Sequence, residues 1–136
     1  PESTNTDETI HELHPDEMEL IRQSHVVLRF KNTKEDSRIK QLFGDSGSFD
    51  FSPFYNLIDF VFVDGSHVIE YVKQDTINAF KMVKKNSGVI LWHDYGEEFP
   101  DVKKFLNNYI NERIDYNFYH LNSTLLVVAI PKNKNV

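Results

Sequence analysis

Residues 58–75 read IDFVFVDGSHVIEYVKQD, and the stretch changes its period halfway. Up to Val63 the residues are apolar except for Asp59, the pattern of a strand covered on both faces. From there Val68, Ile69, Val72, Ile77, Phe80 and Val83 fall on one helical stripe. Asp64, Gly65, Ser66 and His67 stand at the join. Gly65 permits a tight turn or a close backbone approach, and Ser66 or Asp64 can cap the helix beginning near Val68. Capping alone does not require Asp, Gly and His together, so Asp64 is read as facing whatever occupies a cleft at the strand end.

The flanking segments repeat the alternation. GVILW (88–92) reads as a second buried strand, interrupted at once by HDYG (93–96). Lys84 and Lys85 suit the negative end of the preceding helix, and NSG supplies its stop. A second amphipathic helix is predicted from about Pro100 to Arg113, with Val102, Phe105, Leu106, Tyr109 and Ile110 inward. YNFYHL (116–121) and TLLVVAI (124–130), parted by NS, read as a closing antiparallel hairpin. Upstream, RIKQLFGDSGSFDF (38–51) holds a short alternating run of Ile39, Leu42 and Phe43 closed by Gly44, read as a strand. Residues 1–37 are a polar lead-in with one helix, from about Asp16 to Ser24. The order predicts an α/β domain, a Rossmann-like, mostly parallel sheet ending in an antiparallel hairpin.

Composition narrows the function. A chain of 136 residues has room for one domain with a real core. It holds no cysteine, which excludes disulfides and thiolate zinc sites. A net charge of -6 disfavours a phosphate-binding surface for nucleic acid, so a small-molecule substrate or a protein partner is expected. No apolar run is long enough to cross a bilayer and the start is unlike a signal peptide, so a soluble cytoplasmic protein is expected.

In open α/β sheets, ligands bind beyond the carboxyl ends of the strands. Asp45, Asp64 and Asp94 are all predicted there, and with His67 and His93 they can converge on one cleft. The plainer alternative is that strands end in polar loop residues anyway, and that Asp is a common helix cap.

GDSGSFDF, IDFVFVDGSHVIEYVKQD, NSGVILWHDYG and PDVKKFL, in this order and spacing, resemble the later part of class I S-adenosylmethionine-dependent methyltransferases, in the small-molecule O-methyltransferase branch. The resemblance covers about residues 38–130 and implies a partial methyltransferase domain over 38–136. It implies cofactor binding by Asp45 and Ser46 (adenine), by Asp64 and Gly65, and by His67, whose alternative role is a hydrogen bond to a backbone carbonyl. It further implies a divalent metal, magnesium or manganese, on Asp64, His93 and Asp94. Catalysis would fall to Asp64 and to His93, which is either a metal ligand or the base that takes a hydroxyl proton. The implied reaction is methyl transfer to a hydroxyl of a small molecule or sugar.

The sequence also departs from the family. The five glycines, Gly44, Gly47, Gly65, Gly88 and Gly96, form no GxGxG turn, and no strand precedes residue 25 to carry one. The first two strands of the full fold are therefore expected to be missing, S-adenosylmethionine binding to be weak or absent, and exposed sheet edges to invite a homo-oligomer. Ile69 stands where relatives often have Tyr. HELH at 11–14 lacks the full HExxH spacing and reads as a solvated segment. Two other functions stay open: a noncatalytic methyltransferase-like module that does not bind the cofactor, and a metal-dependent hydrolase activating water through Asp64, His93 and Asp94.

Overall fold

A computed structural model describes residues 30–132. The chain divides into two compact units, residues 1–42 and 43–136. The helix predicted at Asp16–Ser24 lies outside the described residues. In the first unit, a turn and a 3-10 helix, Asp36–Arg38, are held by Asn32 N–H donating to Asp36 Oδ2 at 3.1 Å.

The second unit contains four strands and two helices: β1 Phe60–Val63, α1 Ile69–Met82, β2 Val89–Trp92, α2 Pro100–Ile110, β3 Tyr116–His120 and β4 Val127–Pro131. They form one sheet in the order β1-β2-β4-β3. β1 and β2 are parallel, joined through α1, and β4 runs antiparallel between β2 and β3. The α/β class and the closing hairpin agree with the sequence pattern, the parallel part being the β1–β2 pair. The hairpin turn is longer than the predicted NS, because β4 begins only at Val127.

The run at Ile39–Phe43, read as a strand, forms none. Ile39, Leu42 and Phe43 are exposed, and alternation without a neighbouring ladder leaves the backbone bonds of a strand unmade. In β1 the expectation of two covered faces is also corrected. Val61 and Val63 pack toward the core, while Phe60 and Phe62 are 53% and 47% exposed. β1 is the outermost strand, paired only with β2 among the described residues, so its pleat presents alternate side chains to solvent.

The core lies between the sheet and the two helices. Ile90, Trp92, Val127 and Ala129 on the strands meet Val72, Ala79, Val102 and Leu106 on α1 and α2. The buried stripe of α1 is rotated from the predicted one: Ile77 is exposed, and Thr76 is fully buried in its place. Trp92 explains the substitution, since its indole N–H donates to Thr76 Oγ1 at 3.0 Å, and a buried donor needs a partner. The helix also stops earlier than its lysines indicate, at Met82. Val83 leaves extended and bridges to Ile58, and Lys84 Nζ pairs with Asp59 Oδ1 at 2.6 Å. Gly88 closes this turn, donating its N–H to Lys84 O at 2.7 Å; a Cβ there would lie 2.5 Å from Val83 Cβ. Arg113 seals the far end of the core, its guanidinium 3.9 Å from the Phe80 ring centroid and bonded through Nε and Nη2 to Asp115. Those bonds hold the Asp115 carboxyl below its usual range. No helix among the described residues is long and apolar enough to cross a membrane.

Candidate functional site

The register of the parallel pair creates the site. Val63 lies opposite Trp92, so the residues that follow them, Asp64 and His93, leave the sheet side by side at its carboxyl edge. Asp94 then takes a left-handed conformation, φ 64°, uncommon for a residue other than glycine but tolerated by Asp. This turns its side chain back into the molecule, where the residue is only 7% exposed.

A buried carboxylate needs partners, and Asp94 has two imidazoles. His93 Nδ1–H donates to Asp94 Oδ1 at 2.7 Å, and His67 Nε2–H donates to Asp94 Oδ2 at 2.8 Å. His67 reaches across from the β1–α1 loop, its ring 4.3 Å from that of Phe99. Its bond is thus to a carboxylate and not to the backbone carbonyl weighed above. Asp64 Oδ1 lies 3.6 Å from His93 Nδ1, and the edge of Phe62 faces the His93 ring at 6.4 Å. The result is a His–Asp–His array with a second carboxylate beside it, around a recess of about 20 Å³. Asp64, His93 and Asp94 each offer a ligand atom, all within 4.8 Å of one another.

Of the other predicted residues, Gly65 borders the recess of the array, whereas Asp45 and Ser46 are not among its lining. Asp45 folds its carboxylate onto its own turn, accepting from Gly47 N–H at 3.0 Å through Oδ1 and from the Ser48 hydroxyl at 3.4 Å through Oδ2. Ser46, Asp64 and Gly65 line a different cavity of about 270 Å³, walled by Phe51, Val61 and Met82. Ser66 does not cap α1 at its first free amides; its Oγ accepts from Val68 N–H at 3.2 Å, one step ahead of the helix, and the helix has no side-chain cap.

Two further residues of the cavity were not evident from the sequence, Asp75 and Asn78 on α1. Burial raises the Asp75 carboxyl above its ordinary range; a hydrogen bond from Ser46 opposes this and the Asp45 charge adds to it. Gly65 makes room for Asp75, because a Cβ there would lie 3.1 Å from Asp75 Oδ2. The one signal in the sequence was polar residues at 75, 76 and 78, within a turn of a helix that otherwise buries apolar groups.

Comparison with known proteins adds the family. No curated protein matches the chain. The family described as "Methyltransferase domain" matches residues 3–95, which is more than half of the chain and takes in both strand ends and the array between them. The chain therefore belongs to this family of methyltransferase domains.

Proposed function

We propose that the chain serves S-adenosylmethionine-dependent methyl transfer to a hydroxyl oxygen of a small molecule or sugar, in the cytoplasm, with His93 as the base. The observation that carries this reading is the 2.7 Å bond from His93 Nδ1–H to a buried carboxylate. With Nδ1 committed as a donor, Nε2 is left with its lone pair, ready to accept a hydroxyl proton. Asp94 fixes the tautomer and ring orientation, and His67 holds the other Asp94 oxygen so that the carboxylate cannot rotate away. Asp64 Oδ1 stands beside the same imidazole, 3.6 Å from His93 Nδ1. The cofactor, when bound, supplies a sulfonium methyl: the new O–CH3 bond forms as the S–CH3 bond breaks, sulfur keeping the electron pair.

The residues present fit the adenosine end of that cofactor, since Ser46, Asp64 and Asp75 place acceptors in a cavity with apolar walls. The methionine end has no glycine-rich turn in this chain, so weak binding is expected. Magnesium or manganese is a second reading of the array, favoured by three ligand atoms within 4.8 Å. A cation there would lower the pKa of a bound hydroxyl. His93 Nδ1 cannot ligate a cation while donating to Asp94, so on this reading the two carboxylates are the principal ligands. A noncatalytic module is favoured by one observation, the closure of Asp45 onto its own turn.

Titration with S-adenosylhomocysteine, with and without magnesium, followed by turnover on a panel of hydroxylated acceptors, separates these readings. His93→Gln is expected to lower turnover by about 10²–10⁴-fold with the cofactor product still bound. Unchanged turnover would remove the base. Absence of binding at millimolar ligand would leave the noncatalytic module.

A further inference from the structure

The two imidazoles of the His–Asp–His array are held by different means. His93 follows β2 directly, and its backbone N–H donates to Val63 O at 3.0 Å. His67 lies instead on the β1–α1 loop, ahead of the first residue of α1, and its side chain is 50% exposed. A half-exposed imidazole keeps much of its rotamer freedom unless a neighbour restrains it. The bond to Asp94 Oδ2 ties down one ring atom, Nε2, and leaves the plane of the ring to be set by something else. Phe99 is placed to set it, with its ring 4.3 Å from that of His67 and tilted by 36°.

Phe99 is the better fixed of the two rings, and its backbone shows why. It precedes Pro100, which disfavours the helical region for it, and it is extended in φ at -124°. Its N–H donates to Gly96 O at 3.2 Å, and its carbonyl accepts from Lys103 N–H at 3.1 Å, opening the ladder of α2. Its side chain packs against the core. The loop that delivers it turns at Gly96, whose N–H donates to Asp94 O at 3.0 Å, and where a Cβ would lie 2.6 Å from Leu125 Cδ2. Asp94, Gly96, Phe99 and His67 thus close a circuit. Backbone bonds lead from Asp94 to Phe99, the ring contact passes to His67, and the His67 Nε2–H bond returns to the Asp94 carboxylate. We propose that Phe99 is a positioning residue that orients His67, and through it the Asp94 carboxylate that holds His93 ready to take a proton. This inference rests on the proposed role of His93 as the base and adds the residue by which the start of α2 sets its geometry. An aromatic contact of this kind favours the stacked ring by about 2–10-fold.

The test compares Phe99→Leu, which keeps an apolar side chain against the core and removes the π face, with Phe99→Tyr, which keeps the ring. ¹H–¹⁵N spectra of the 136-residue chain are read at the His67 Nε2 proton, with the Trp92 indole N–H, bonded to Thr76, as the control for an intact core. The wild-type protein and Phe99→Tyr are expected to protect the His67 proton from exchange with water. Phe99→Leu is expected to speed that exchange about 2–10-fold while the indole resonance is unmoved. Unchanged exchange in Phe99→Leu overturns the proposal, as does equal loss of protection in both variants. If Phe99→Leu does not fold, the wild-type protein decides: the carbon-bound ring protons of His67 are expected upfield of their positions in the urea-unfolded chain, and unshifted protons overturn it. In turnover on a hydroxylated acceptor, Phe99→Leu is expected to lower kcat about 2–10-fold with KM unchanged. Unchanged kcat overturns the positioning role. A wild-type protein without turnover overturns that role together with the base reading of His93, while the spectra, which need no ligand, still decide whether Phe99 orients His67.

Discussion

The two faces of the sheet carry similar residues and meet different fates. On the covered face Ile90, Trp92, Val127 and Ala129 are at most 2% exposed beneath α1 and α2. On the other face Phe60, Phe62, Tyr119 and Ile130 are between 41% and 53% exposed. The pleat assigns each residue to a face, and hydrophobicity alone does not say which face will be covered. The comparison teaches that the strand cores fix the site by register, whereas the apolar residues on the open face are available for some other contact.

The sharpest way to break this comparison is to truncate one large side chain on each face. Trp92→Ala is expected to cost about 3–5 kcal/mol in urea unfolding, and Phe62→Ala less than about 1 kcal/mol, since its ring is already half in water. Equal losses would mean that the open face is covered in solution. Thr76→Val keeps the volume of the covered face and removes the acceptor of the Trp92 indole N–H. It is expected to cost about 1–3 kcal/mol, the penalty of a buried unsatisfied donor. A smaller effect is expected from Phe60→Lys with Phe62→Lys, which places charge on the outermost strand. Sedimentation should show any concentration-dependent self-association of the wild-type protein reduced in this variant, as expected if edge pairing drives it. Association that survives unaltered would assign it to another surface.

The last prediction concerns charge on the covered side. The Asp75 carboxyl is raised in the folded protein, so the folded state binds its proton more tightly than the unfolded chain does. Its contribution is favourable below the unfolded carboxylate range and is lost as pH rises through the raised value. Asp75→Asn is therefore expected to raise Tm at neutral pH, with the gain vanishing in acid. A Tm difference independent of pH would show that desolvation of the charge is not the cause.

Much of this was readable in the residue order. β1, α1, β2 and α2 follow from a change of period at Asp64 and again at His93, and helix and strand periods differ enough to locate such joins. The convergence of Asp64 with His93 follows from parallel strands ending on one edge. Three features were not readable. Ile39–Phe43 has an alternating pattern, but a strand exists only with a partner, and pattern does not supply one. The exposure of Ile77 and burial of Thr76 depend on where the Trp92 indole points. The bond between His67 and Asp94 joins groups 27 residues apart, and it exists because Asp94 adopts a left-handed backbone that its type permits but does not compel.

Gly88 gives that edge a mechanical sensitivity. The glycine lets the chain turn tightly between Val83 and Val89, so the turn sets which β2 residue faces Val63. Lengthening it by a single residue would slide β2 along β1 and invert the strand, sending the indole into water and drawing the imidazole inward. The geometry of the His–Asp–His array and hydrophobic order are thus geared to one tooth, and drift in the connection would strip both at once.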